Sequence, residues 1–152
     1  MTAERNKRLI EEMTAALNDH EIDGIGAYFH EDFTWHGNAG CGVKPSLKAF
    51  QEGWQRPFLN AFKDKHTVNE CTIAEGDTVA AFGRVEATHS GEFMGIAPTG
   101  KRVTVRYMDF WRIKDGKVID NWVHVDVADT MRQLGVDPFQ GHGWDARGTD
   151  AA

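Results

Sequence analysis

Long apolar runs are missing from this 152-residue chain. None approaches the ~18 residues of a membrane-spanning helix. The opening residues Met-Thr-Ala-Glu-Arg-Asn-Lys-Arg lead straight into an amphipathic pattern and contain no signal-peptide core, so a cytoplasmic protein is expected. Basic charge is scarce too: 17 Lys and Arg face 23 Asp and Glu, a net charge of −6. That balance argues against a nucleic-acid footprint and gives no support to an anionic membrane surface as partner. Only two cysteines occur, Cys41 and Cys71, without motif spacing, and free thiols are expected. The seven histidines are scattered, with no His-Glu-x-x-His pair, so no metal is expected. A Gly-x-Ser-x-Gly elbow for a serine nucleophile is lacking. The glycine-rich stretch 37–45 lacks the Lys-Ser/Thr ending of a phosphate-binding loop. It sets Cys41 near His36, but without an evident orienting acid for a thiol nucleophile.

What is present is an ordinary globular composition, 41% hydrophobic and 26% charged, sized for one domain. Five tryptophans raise the aromatic content, and part of that mass is available to line a pocket. Thr2 is placed to cap a helix whose apolar face is Leu9, Ile10, Met13, Ala16 and Leu17. The pattern predicts a short second helix over 22–29 and a brief strand at Phe33-Thr34-Trp35. Ser46 caps a third helix carrying Leu47, Phe50, Trp54 and Phe58, which Pro57 interrupts or restarts. From His66 the period changes to two. Residues 66–75 and 78–89 form one hairpin; 101–114 and 117–127 form another, joined at Asp115-Gly116. A helical turn over 128–134 ends the domain at residue 137, and 138–152 reads as an arm or disordered tail. Helices first and antiparallel strands after them indicate an α+β fold.

The second hairpin carries aspartates, tryptophans, an arginine and a histidine inside strands that otherwise look half-buried. Acids are poor strand formers, and buried charge is costly without a reason such as a polar-lined cavity. Phe93-Met94-Gly95-Ile96-Ala97-Pro98-Thr99-Gly100-Lys101, followed by Met108-Asp109-Phe110-Trp111-Arg112-Ile113-Lys114-Asp115-Gly116-Lys117-Val118-Ile119-Asp120-Asn121-Trp122, resembles the SnoaL-like polyketide cyclases. That family lies in the nuclear-transport-factor-2-like superfamily. Trp35-His36-Gly37 and Gln133-Leu134-Gly135 add to the resemblance, which spans residues 5–136. It implies a cone-shaped α+β barrel, with a curved, mostly antiparallel sheet wrapped around a long N-terminal helix and two shorter helices. It also implies a homodimer or larger homo-oligomer, and a cavity for a small hydrophobic oxygenated ligand. The chemistry it implies is aldol ring closure by a cavity aspartate, with no metal and no cofactor. Relatives on this fold include isomerases, dehydratases, epoxide hydrolases and binding proteins, so a non-catalytic ligand-binding or assembly module is the alternative.

Lys114-Asp115-Gly116-Lys117 suits a bulged hairpin with Ile113 opposite Lys117. Asp109 then faces Asn121, Tyr107 faces Val123 and Trp111 faces Ile119, while Arg106–His124 and Met108–Trp122 take the other face. A two-residue turn would instead set Asp109 opposite Trp122 and Tyr107 opposite His124, and a one-residue slip swaps every face. Asp109, His36 and Asn121 are the candidate catalytic residues: an acid whose pKa burial must raise, a shuttle at the cavity mouth, and a polarising amide. Tyr107, Trp111, Trp54, His89, His124 and Trp122 are the candidate substrate contacts. Asp126 is expected to cap the last helical turn or to pair with Arg106. Family members often carry an acid two positions after Asn121, where this chain has Val123.

Overall fold

The computed structural model describes residues 2–145. Thr2 accepts a hydrogen bond from the Arg5 amide at 3.2 Å and starts α1 (Ala3–Asn18), whose Ile10 and Met13 are buried. Asn18 ends the helix by exchanging two bonds with the backbone of Thr67. Asn6 Nδ2 donates to Gly76 O at 2.9 Å. Both contacts tie α1 to the sheet. The helix expected over 22–29 is only a 3₁₀ segment, Gly24–Tyr28. Gly24 and Gly26 weaken any helix there, and the chain extends from Phe29 instead.

The strands are β1 (Phe29–Gly37), β2 (Val43–Lys44), β3 (His66–Glu75), β4 (Thr78–Thr88), β5 (Arg102–Lys114) and β6 (Lys117–Val125). They form one sheet in the order β2-β1-β6-β5-β4-β3, antiparallel throughout except for the parallel β1–β6 pair. The sheet is curved but does not close, so the expected barrel is an open one with β2 and β3 at its edges. Between β2 and β3 runs a helical stretch: α2 (Leu47–Phe50), a π-helical turn (Gln51–Gln55) and α3 (Arg56–Ala61). Ser46 Oγ caps it, accepting from the Ala49 amide at 3.1 Å. Pro57 has no N–H, and its ring crowds the carbonyl four residues back. The widened turn lies immediately before it. A last helix, α4 (Val127–Gln133), is capped by Asp126, which accepts from the Asp129 amide at 3.0 Å. The carboxylate near the Arg106 guanidinium is that of Asp129, at 3.6 Å, while Asp126 meets Arg106 through the backbone, its amide donating to Arg106 O at 2.9 Å.

The β5–β6 hairpin corrects the expected pairing. Lys114 faces Lys117 across a two-residue turn in which Asp115 (φ 51°) and Gly116 (φ 74°) are both left-handed. Such a turn matches the right-handed twist of the strands. Ile119 is then an extra residue in β6, between the Ile113–Val118 and Arg112–Asp120 pairs. The bulge restores the parity that the tight turn would have lost. Asp109 lies opposite Val123, Trp111 opposite Asn121 and Tyr107 opposite Val125. Register has moved by two from the bulged-turn expectation, so Asp109, Asn121, Tyr107 and Trp111 still share a face.

Residues 138–145 lie beside α4, held by Arg132 through Asp137 at 3.1 Å and through Asp145, with its guanidinium 5.2 Å from the Phe139 ring. The remainder of the expected tail, 146–152, lies outside the described residues. No described helix is long and apolar enough to cross a membrane.

Candidate active site

Alternation along β5 buries Val103, Val105, Tyr107, Asp109, Trp111 and Ile113 and leaves the intervening residues outward. The inward set of β6 is Asn121, Val123 and Val125. With α1 and the interrupted helix over them, Val105, Tyr107, Asp109 and Trp111 of β5 and these three residues of β6 line a cavity of about 140 Å³. Its walls run from buried Trp35 and Asp109 to exposed His20 and Glu21, beyond the end of α1.

Asp109 is the buried acid of this cavity, 9% exposed. Asn121 Nδ2 donates to its Oδ1 at 2.9 Å and lies 3.2 Å from Phe110 O. Among the described residues no cation pairs with Asp109; Arg106 lies on the other face. Burial pushes its pKa up to about 7, and the Asn121 bond pulls modestly the other way. The acid is therefore poised between its two protonation states near neutral pH, which a proton-transfer group requires. Tyr107 is raised well above the usual phenol range, first by burial and then by the charge of Asp109, and stays protonated. Its hydroxyl donates to Asn69 Oδ1 at 2.6 Å, with Val68 O at 3.2 Å. Asn69 Nδ2 donates to Thr14 Oγ1 at 3.2 Å, and Thr14 to Ile10 O at 2.8 Å. This chain of bonds spans the cavity from β5 through β3 to α1.

The apolar walls include Trp111 and Trp54. Trp54 stacks on Trp35 at 5.2 Å and on Phe58 at 5.1 Å. Four sequence candidates lie elsewhere. His36 faces outward because β1 alternates and Trp35 takes the cavity side. Its Nε2 lies 2.9 Å from Asp120 Oδ1, and its ring stacks on Trp122 at 5.0 Å. Burial alone would raise Asp120, but bonds to His36 and Arg112 outweigh it and hold the carboxyl below its ordinary value. Trp122 and His124 also lie on the outer face, opposite Phe110 and Met108. The expectation that these three approach substrate in the cavity is corrected by strand parity. His89 is fully buried but does not line the cavity. Its Nδ1 accepts from the Thr99 amide at 3.1 Å, and its backbone pairs with Gly100 and Lys101, closing the 90–100 loop. Sequence reasoning missed Trp35, Thr14, Asn69 and Gln55, all on the cavity wall. Phe33 and Trp35, two apart, carried a signal for Trp35; the polar three carried none.

The profile of the SnoaL-like polyketide cyclases matches residues 7–134. Nogalonic acid methyl ester cyclase of Streptomyces nogalater is 32% identical over 136 residues, 87% of this chain and 98% of that one. Aklanonic acid methyl ester cyclase AcmA of Streptomyces galilaeus is 27% identical over 129 residues, 83% and 88%. Among solved structures, AclR of Streptomyces galilaeus, a proposed hydroxylase, superposes with a TM-score of 0.80 at 31% identity, covering 90% of this chain and 85% of its own. With a profile matched over most of its length and such relatives, the chain belongs to the SnoaL-like polyketide cyclase family.

Proposed function

We propose that this enzyme closes a ring in a hydrophobic polyketide ester by intramolecular aldol chemistry, without metal or cofactor. Asp109, buried, cation-free and bonded to Asn121, is the observation that carries this reading. The Asp109 carboxylate takes a proton from carbon beside a carbonyl. The resulting enolate carbon attacks a second carbonyl carbon, forming the new C–C bond. The alkoxide oxygen then recovers the proton from Asp109, so the product is an isomer of the substrate. Asn121 holds the carboxyl in place, and Trp54 and Trp111 supply flat apolar walls for the substrate. Val123, opposite Asp109, stands where the family often carries the acid that would serve as general acid/base, so in this chain that role passes to Asp109.

The test is turnover of nogalonic and aklanonic acid methyl esters, followed by chromatography and mass. A cyclised product of unchanged mass supports the proposal. Asp109→Asn is expected to lower kcat/KM by ~10²–10⁴-fold. Wild-type kcat rises with pH until the carboxyl is ionised, levelling off above about pH 7. Full activity in Asp109→Asn would remove the role. A second reading, hydroxylation by dioxygen with an external two-electron reductant that carries the other oxygen atom off as water, draws support from the likeness to AclR. It is recognised by a product heavier by one oxygen atom. Tight binding without turnover of either ester would favour a ligand-binding module.

We also infer that the chain self-associates through the outer sheet face. Met108 and Phe110 remain 64% and 54% exposed there, next to Phe82 and Trp122. An apolar patch of this kind on a soluble chain is a contact surface.

A further inference from the structure

One buried polar side chain in the cavity is left unused by the chemistry above. Gln55 lies on the wall, 8% exposed, and its Oε1 is buried without a hydrogen-bond partner among the described residues. Buried acceptors are almost always paired, since an unpaired one loses its hydration without return. The flanking Glu52, Gly53 and Arg56 are all exposed, so Gln55 is turned inward on an otherwise solvated side of the helix.

The backbone explains how it gets there. Gln55 closes the π-helical turn Gln51–Gln55, just ahead of Pro57. Consecutive residues of a regular α-helix point roughly 100° apart. A π turn fits more residues into one revolution and narrows that angle. Trp54 and Gln55, neighbours in sequence, both reach the cavity, as Phe58 and Leu59 do from α3. Single π turns recur at functional sites for this kind of displacement. The helical wall beside it, Trp54, Phe58 and Leu59, is largely apolar, and Gln55 Oε1 finds no partner among the described residues.

We propose that Gln55 is a substrate-positioning residue whose Oε1 accepts a hydrogen bond from a substrate hydroxyl, orienting the ring system toward Asp109. The inference rests on the cyclase reading for its substrate class and adds a second polar contact point to the cavity, on the helical wall. An apolar pocket alone discriminates poorly between ligands that differ in one oxygen, whereas a buried acceptor left unpaired penalises the ligand that lacks the donor. Gln55 is thus a specificity element.

The experiment titrates wild type, Gln55→Met and Gln55→Leu with nogalonic acid methyl ester. Binding is followed by the fluorescence of the cavity tryptophans, with turnover measured in parallel. Loss of one neutral hydrogen bond should raise Kd and KM about 5- to 20-fold in both variants, and the lost orientation should lower kcat as well, so that kcat/KM falls further than Kd rises. The melting temperature of the free protein should hold or rise, because an unpaired buried acceptor is being replaced by apolar atoms of similar shape. Unchanged Kd in both variants overturns the inference. So does a fall in melting temperature in both, which would reveal a structural role. If wild type binds the ester without converting it, the cyclase reading fails and Kd alone decides on Gln55. If wild type binds neither this ester nor aklanonic acid methyl ester, both fail.

Discussion

Asp109 carries opposite consequences for activity and for stability. Its carboxyl is raised in the folded protein from an ordinary value near ~3.9 to about 7, with burial as the main cause. Between those values the folded state binds more protons than the unfolded state. Stability therefore falls as pH rises through this window, at most by ~1.4 kcal/mol per pH unit from this one group. Above about pH 7 the full cost of a buried carboxylate is present; below about pH 4 it is absent. Asp109→Asn keeps an acceptor for Asn121 and removes the charge. The variant should melt higher than wild type at pH 8 and close to wild type at pH 4.5, while losing turnover. Equal melting shifts at the two pH values would contradict the raised pKa. Val123 fits this picture, since a second acid opposite Asp109 would push the pair further apart in pKa.

At the scale of the elements, two irregularities place the site. The Ile119 bulge lets a tight left-handed turn coexist with an inward Asn121. The other is Gly83 on β4, opposite Tyr107. A Cβ there would stand 2.0 Å from Val68 O and 2.7 Å from the Tyr107 hydroxyl. The missing side chain is what lets Tyr107 reach across to Asn69. Backbone cannot yield as a flexible side chain does, so Gly83→Ala should cost ~1–3 kcal/mol, seen in denaturant unfolding. It should also weaken substrate binding by displacing Tyr107. A neutral Gly83→Ala would mean that β3 is free to move away. The inward order of Asp109, Tyr107 and Trp111 was legible because a half-buried strand has period two. Their partners were not, because Lys-Asp-Gly-Lys suits both a bulged and a two-residue turn, and nothing in the sequence marks Ile119 as the extra residue.

For the whole molecule, the sheet has two faces with different business. The concave face meets α1 and encloses the cavity; the convex face carries Ile73, Phe82, Met108, Phe110 and Trp122, all exposed. His36, Asp120 and Arg112 edge this patch, with the Arg112 guanidinium 5.6 Å from the Trp122 ring. Self-association through it predicts a dimer or larger assembly by light scattering. Phe110→Lys should shift the mass to the monomer with little change in fold, because the side chain lies outside the core. A wild-type monomer at high concentration would rule the interface out.

Order and type of most elements could be read from residue periodicity, capping signals and glycines, because these act over a few neighbours; the 3₁₀ segment Gly24–Tyr28 and the short β2 could not. The same local rules put Asp109 on a buried face, and the motif of residues 93–122 led to the family. Which strand partners meet, and which side of the sheet becomes the cavity, depended on distant chain segments. His36 is the instructive case: a histidine beside a family-like tryptophan, turned outward because β1 runs parallel to β6 with Trp35 beside Asn121. Gln55 and Asn69 are the converse, ordinary polar residues made part of the cavity by a π turn and by the reach of Tyr107. Contacts of that kind have no signature in sequence spacing, since they form only when the sheet curves around α1 and excludes water from one of its faces.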